Sequence, residues 1–270
     1  MNAISWTATD RRGLPIGSRE IEDAIEQEQL FIRYRPRLPL NQGMQTPRLE
    51  ALLRWHHPLR GVLAAEQFMP YAARYGLATT LTEWLLTTAL RQTRSWRRAG
   101  DDIDVSVDLS PADLDRHLAS TVAAVLEFSA AAPTAITCDI PESALAENPS
   151  RAGNVAAELN WLGVRVALDG FGGRVSSFTN LYAFHVDELK LAPALVEDLE
   201  TSAERTALAI TAVAIAQALG TMVIGCGVRT PADLAAVRAL GCDAAEGPAV
   251  SEPLDAAGAL AFVRARSHEG

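Results

Sequence analysis

Cysteine is scarce: Cys138, Cys226 and Cys242 are the only three in 270 residues, and no two stand at CxxC spacing. That excludes a disulfide-framed secreted scaffold and a cysteine zinc site. With no recognisable signal peptide, it points to a reducing, cytoplasmic setting. Basic residues are outnumbered, 24 Lys and Arg against 33 Asp and Glu, for a net charge of -9. Non-specific binding to a nucleic-acid polymer, which needs Lys and Arg to displace counterions, is therefore disfavoured. A small anionic ligand is not, because a metal or a few local basic groups can reverse the field. No apolar run is long enough for a membrane span; Thr206 to Leu219 is the most hydrophobic helical stretch and is too short. His56 and His57 have no further histidines at metal-ligand spacing and read as structural. No Gly-Lys-Ser/Thr follows Gly172-Gly173, which excludes a P-loop there. Internal repeats and low-complexity linkers are absent too.

What is present is material for one large core: 49% of residues are hydrophobic and 21% charged. Residues 1–17 form a polar, Gly- and Pro-punctuated extension, and residues 18–270 form a single domain. A helix opens at Ser18-Arg19-Glu20, with Ile21, Ala24 and Ile25 as its apolar stripe. Strands are expected at Phe31–Tyr34, Leu49–Arg54, Ile103–Leu109, Ala135–Ile140, Arg165–Leu168, Glu188–Leu191, Met222–Ile224 and Ala244–Ala245. Helices are expected between and after them, at Glu66–Tyr75, Thr80–Ala99, Pro111–Phe128, Pro149–Trp161, Ser177–Ala183, Thr201–Leu219, Pro231–Leu240 and Ala256–Arg266. Eight strands alternating with helices predict an α/β (β/α)8 barrel of the TIM type, with a doubly wound open sheet as the alternative.

In a barrel, chemistry collects at the C-terminal ends of the strands. Several expected strands finish in an acid there: Asp108, Asp139 and Asp169. Lys190 lies on the strand Glu-Leu-Lys-Leu. In Glu50-Ala51-Leu52-Leu53-Arg54-Trp55, side chains two apart share a face, so Glu50, Leu52 and Arg54 point one way. A carboxylate and a guanidinium on one surface suit a metal held beside a phosphate. The set of four carboxylates suits Mg²⁺, Mn²⁺ or Ca²⁺ rather than zinc.

The ordered segments Glu-Ala-Leu-Leu-Arg-Trp…His-Pro…Gly, Ser-Val-Asp-Leu-Ser, Asp-Ile-Pro-Glu-Ser, Asp-Gly-Phe-Gly-Gly, Leu-Lys-Leu, Gly-Cys-Gly-Val-Arg-Thr and Glu-Gly-Pro resemble the EAL-domain family over about residues 19 to 266. Arg35-Pro36 also resembles the family's Gln-Pro. The resemblance implies a modified barrel whose first strand runs antiparallel to the rest. It also implies a phosphodiesterase chemistry in which two Mg²⁺ or Mn²⁺ ions hydrolyse cyclic di-GMP to linear pGpG.

By the same resemblance, Glu50, Asp169, Lys190 and Arg54 keep the family's residues. Asp108 stands for a metal-binding Asn and Asp139 for a Glu, leaving at most one metal site, built from Glu50, Asp108, Asp139 and Asp169. Gly170 replaces a second-metal Asp, Cys226 a catalytic Glu, Arg229 a loop-anchoring Glu and Ala192 an acid two residues past Lys190. Glu246 stands where a Gln lies near the attacking water. Losing a positioned acid or base costs about 10²–10⁴ in rate, and losing a metal adds several kcal/mol. The expectation is a degenerate member with a vestigial Lys190 and no appreciable hydrolysis.

Three roles stay open. A receptor would bind cyclic di-GMP through Arg54, Arg35 and Leu52 and order the loop from Phe171 to Ser177. A scaffold would engage an unknown protein partner, with homodimerisation as an option. A weakly active phosphodiesterase would require Asp108, Asp139 and Glu246 to rebuild the metal site. No GGDEF, sensor or receiver module is visible in the sequence.

Overall fold

The computed structural model describes residues 15–41, 46–173, 185–197, 199 and 202–267. The strand Arg48–His57 shows how the sequence builds the sheet. Its alternate residues Leu49, Ala51, Leu53 and Trp55 join the main hydrophobic core. Glu50 and Leu52 occupy the opposite face, as period-two geometry requires. Among the described residues ten strands share one sheet: β1 Leu30–Pro36, β2 Leu38–Pro39, β3 Arg48–His57, β4 Gly61–Ala64, β5 Asp104–Asp108, β6 Ile136–Pro141, β7 Arg165–Phe171, β8 Glu188–Leu191, β9 Met222–Cys226 and β10 Ala244–Glu246. The order is β1-β3-β5-β6-β7-β8-β9-β10-β2, with β4 paired to β3 as a hairpin. β3 through β10 run parallel along this path, while β1 pairs antiparallel with β3. Because β2 follows β1 after one residue and pairs with β10, the sheet returns on itself as a nearly closed barrel.

Ten helices surround the sheet: α1 Ser18–Glu26, α2 Ala65–Arg74, α3 Ala78–Arg98, α4 Leu118–Ser129, α5 Glu142–Glu147, α6 Pro149–Trp161, α7 Pro193–Val196, α8 Ala203–Ala218, α9 Pro231–Ala239 and α10 Ala256–Ser267 among the described residues. Their starts follow local chemistry. Asn148 and Thr230 accept hydrogen bonds from the amides of Arg151 and Asp233, and a proline follows each in the first turn. Edge-on contacts of Trp55 with Phe68 (5.4 Å) and of Tyr34 with Trp96 (5.0 Å) fasten α2 and α3 to the barrel wall. No helix among the described residues is long and apolar enough to cross a membrane.

All eight expected strands are present, each within a few residues of its predicted ends. The helix expected at Pro111–Phe128 begins only at Leu118. The Asp113 carboxylate accepts from the Ser110 amide (2.7 Å) and Asp115 from the His117 amide (2.7 Å), so the side chains satisfy backbone donors in turns rather than in a helix. The short β2, β4, α5 and α7 were not expected. The expected helix Ser177–Ala183 lies outside the described residues, as does most of the loop from Phe171 to Ser177.

The N-terminal rim of the barrel is closed by charge. Arg37 reaches up from the β1–β2 corner and donates to Glu188 (2.6 Å) and Glu246 (3.2 Å). Arg48 also donates to Glu188, while Arg97 and Arg165 hold Asp104 at 2.8 and 2.5 Å. Glu188 and Arg37 have fully buried side chains. Glu188 stays below the usual carboxylate range: burial opposes its charge, and Arg37 and Arg48 outweigh the burial.

Candidate functional site

Strand register sets the site. Asp108 lies beside Asp139, Asp169 beside Lys190, and Cys226 beside Glu246, each pair on neighbouring parallel strands. Glu50 stands beside Ser106 on one side and opposite Arg35 on the other. Five acids therefore line the upper interior of the barrel, and Lys190, the chain's only lysine, rises among them. Its Nζ lies 2.5 Å from Glu50, 2.8 Å from Asp139, 3.3 Å from Glu246 and 3.8 Å from both Asp108 and Asp169. Burial works against the ammonium. The charges of Asp139, Glu246, Glu50 and Asp169 nevertheless hold it well above the ordinary lysine range.

The donors fit one hard cation. Glu50, Asp108 and Asp139 each offer a carboxylate oxygen, and these oxygens lie within 4.8 Å of one another. Asp139 Oδ1 is buried with no hydrogen-bond partner among the described residues, as an atom awaiting a cation would be. Asp169 falls outside this group of three, with its carboxylate 3.8 Å from Lys190 Nζ.

Crowding shifts the titrations. Desolvation, with the Glu50 charge beside it, raises Asp108 to about 7. Burial raises Asp139 to about 8 and Asp169 to about 6, opposed in both by Lys190. Glu246 goes the other way: despite burial, Lys190 and Arg37 draw it down to about 2. A cation must displace the protons on the raised acids. Affinity for Mn²⁺ or Mg²⁺ is accordingly expected to rise at least tenfold between pH 6 and pH 8.5. Calorimetry in buffers of different ionisation enthalpy checks this by showing proton release that shrinks as pH rises. The sign also fixes the metal-free behaviour. Raised carboxyl pKa values mean that the native state binds more protons than the unfolded chain, so these acids cost stability as pH climbs from about 4 through 8.

Arg35 and Arg54 take different places. Arg35 donates to Glu50 at 2.5 Å and keeps a third of its side chain exposed at the mouth. Arg54 donates to its own neighbour's carbonyl, Leu53 O (2.8 Å), so Glu50 and Arg54 do not form the ion pair that their spacing permits. Arg54 and Leu52 instead line a cavity of about 190 Å³ beside the acids, shared with Glu66, Thr82, Asp108 and Ser110.

Each position expected to depart from the family pattern has a definite place in the structure. Gly170 sits at a register shift in β7 with φ +83°, a conformation an Asp would adopt only under strain. Cys226 is buried, and its thiol donates to Glu246 Oε1 (3.2 Å); burial, then Glu246, pushes it well above the usual thiol range. Ala192 is buried and donates its amide to Phe171 O (2.7 Å). Arg229 pairs with Glu197 at 2.7 Å. His57 is held by Glu20 (3.1 Å) and His56 stacks on Phe31.

Two contributors were missed in the sequence. Arg37 fixes Glu246 from below, and its partners lie 151 and 209 residues away, beyond any local pattern. The Thr82–Asp113–Ser110 cluster shapes the cavity wall, with Asp113 accepting from both hydroxyls at 3.0 and 2.7 Å. The Ser-Pro-Ala-Asp spacing, an Asp three residues after a Ser, was the available signal for the second.

Over 248 residues the chain is 33% identical to the cyclic di-GMP phosphodiesterase NbdA of Pseudomonas aeruginosa, covering 91% of this chain and 32% of that protein. Over 245 residues it is 32% identical to the cyclic di-GMP phosphodiesterase PdeR of Escherichia coli, covering 90% and 36%. The chain thus spans about a third of the length of these relatives. Among solved structures, the MucR phosphodiesterase in complex with c-di-GMP superposes with a TM-score of 0.81 at 29% identity, covering 87% of this chain and 96% of that one. The FimX EAL domain of Pseudomonas aeruginosa bound to c-di-GMP shares the fold, with a TM-score of 0.79 at 21% identity and coverage of 88% and 97%. The EAL domain profile matches residues 18–253, and the chain belongs to the EAL-domain family.

Proposed function

We propose that this domain is a cyclic di-GMP receptor that holds one divalent cation and hydrolyses its ligand poorly or not at all. The observation that carries the reading is the convergence of Glu50, Asp108 and Asp139 as the single cation-fitting group among the described residues. Gly170, Ala192 and Cys226 offer no oxygen ligands for a second group, and a protonated thiol is a poor partner for Mg²⁺. When bound, a cation there would polarise a phosphoryl oxygen and offset the repulsion of the acids.

The chain's own groups account for the ligand. Arg35 and Arg54 present guanidinium charge at the mouth to a phosphodiester. Glu66, Ser110 and Thr82 line the adjoining cavity, where a carboxylate suits the N1–H and N2–H donors of a guanine edge. Hydrolysis needs a proton acceptor for the attacking water. Glu246, held near 2 by Lys190 and Arg37, is too weak a base at neutral pH, and Cys226 keeps its proton. Loss of that base removes about 10²–10⁴ in rate.

An active phosphodiesterase is the second reading. It is favoured by Glu246, which sets a carboxylate 3.2 Å from Cys226 and so restores an acid to that rung.

Calorimetric titration with cyclic di-GMP in Mn²⁺ tests the receptor. Saturable micromolar binding is expected, weakened about tenfold or more by Arg54→Ala. Absence of heat at high protein concentration rejects it.

A further inference from the structure

An arginine-bearing helix face lies on the outside of the barrel, toward the rim opposite the site. On α3, Arg91, Arg94 and Arg98 stand at i, i+3 and i+7 and share one helix face. Arg91 stacks over the ring of Phe128 on the adjacent α4, 5.0 Å from its centroid. Phe128 is itself 66% exposed, although it is a large apolar side chain. Arg94 donates to Ser129 O (3.2 Å) and, with Arg97 and Arg98, lines a cavity of about 230 Å³ between the two helices. Arg97 is neutralised by Asp102 and Asp104. Arg91 and Arg98 meet no carboxylate within ion-pair distance among the described residues.

Three guanidinium groups thus gather on one helix face, and the exposed ring beside them adds apolar area. We infer that this face of α3 and α4 docks a short acidic protein segment, whose carboxylates meet Arg91, Arg94 and Arg98 and whose apolar side chain covers Phe128. Charge complementarity decides the occupant. A free inorganic anion would use the arginines and leave Phe128 bare. An extended anionic surface, whether membrane or nucleic acid, would be repelled by the rest of the molecule. The face lies at the rim opposite the acids, since Arg97 holds Asp104 at the start of β5 while Asp108 at its end joins the site. Arginine with an aromatic anchor is the composition of an interface centre, here of the small, transient class.

The test uses the whole chain and a fluorescein-labelled synthetic peptide of alternating Glu and Leu, read by anisotropy. Micromolar binding that weakens with salt is expected, with loss of about tenfold or more in the double variant Arg91→Glu/Arg98→Glu. Phe128→Ser should cost several-fold, and a Gln-for-Glu peptide should not bind. Far-UV circular dichroism and the thermal unfolding midpoint should be the same in all variants, which reports that the barrel is intact. Equal peptide binding by wild type and the Arg91→Glu/Arg98→Glu variant overturns the inference. So does tripolyphosphate or phosphatidylglycerol vesicles binding as tightly as the peptide.

Discussion

Replacing Lys190 by methionine is expected to lower the unfolding free energy by about 3–5 kcal/mol, the cost of leaving buried charge without its partner. Nζ is within 4 Å of five carboxylates, so methionine fills the volume while stranding the acids. They would respond by taking up protons, pushing Asp108, Asp139 and Asp169 above their already raised values of about 7, 8 and 6. Since the native state then binds still more protons than the unfolded chain, the loss should be smaller at pH 5.5 and larger at pH 8.5. Mn²⁺ should restore part of it, by supplying the missing positive charge. Urea denaturation at the two pH values, with and without Mn²⁺, measures all three. A difference under about 1 kcal/mol at pH 8.5 would mean that solvent, not Lys190, neutralises the acids.

Gly247→Ala is expected to be of similar size, for a steric reason. Gly247 follows the last residue of β10 at φ +148°, and a Cβ there would stand 2.4 Å from the amide nitrogen and the carbonyl oxygen of Val228. Both neighbours are backbone, so no rotamer change relieves the clash. The same two segments, just past the ends of β9 and β10, are joined by the Val228 amide donating to Glu246 O (3.1 Å) and the Ala249 amide to Val228 O (2.9 Å). Forcing them apart would cost about 3 kcal/mol or more and pull Glu246 from Lys190 and Arg37. Thermal unfolding checks the stability. Cyclic di-GMP affinity checks whether displacing Glu246 reaches the mouth.

The sequence made the barrel and most of the site legible, because both follow from short-range pattern. Apolar runs ending in Asp108, Asp139 and Asp169 mark where strands finish, and parallel register brings those ends to one level. Alternation in β3 correctly sorted Glu50 and Leu52 from the core-facing Leu53 and Trp55. What stayed hidden depends on long-range partners. Arg37 reads as a charged residue at a turn, yet it is fully buried between Glu188 and Glu246. Nor could spacing tell that Arg54 bonds to the Leu53 carbonyl while Arg35, on another strand, takes Glu50. The false start of α4 at Pro111 has the opposite cause. Asp113 and Asp115 sit at plausible helical positions, but their side chains capture the amides of Ser110 and His117.

The balance between binding and catalysis rests on Glu246 and Cys226. Under the proposed function an acid and a thiol stand where hydrolysis would call for one proton acceptor, and the acid is held by Lys190 and Arg37. Incubating the purified domain with cyclic di-GMP and Mn²⁺ at pH 8.5, then resolving the products by chromatography, is the most direct measurement. The nucleotide should be recovered intact by a protein that binds it. Steady accumulation of pGpG that disappears in Glu50→Ala would contradict the account and make this domain a working phosphodiesterase.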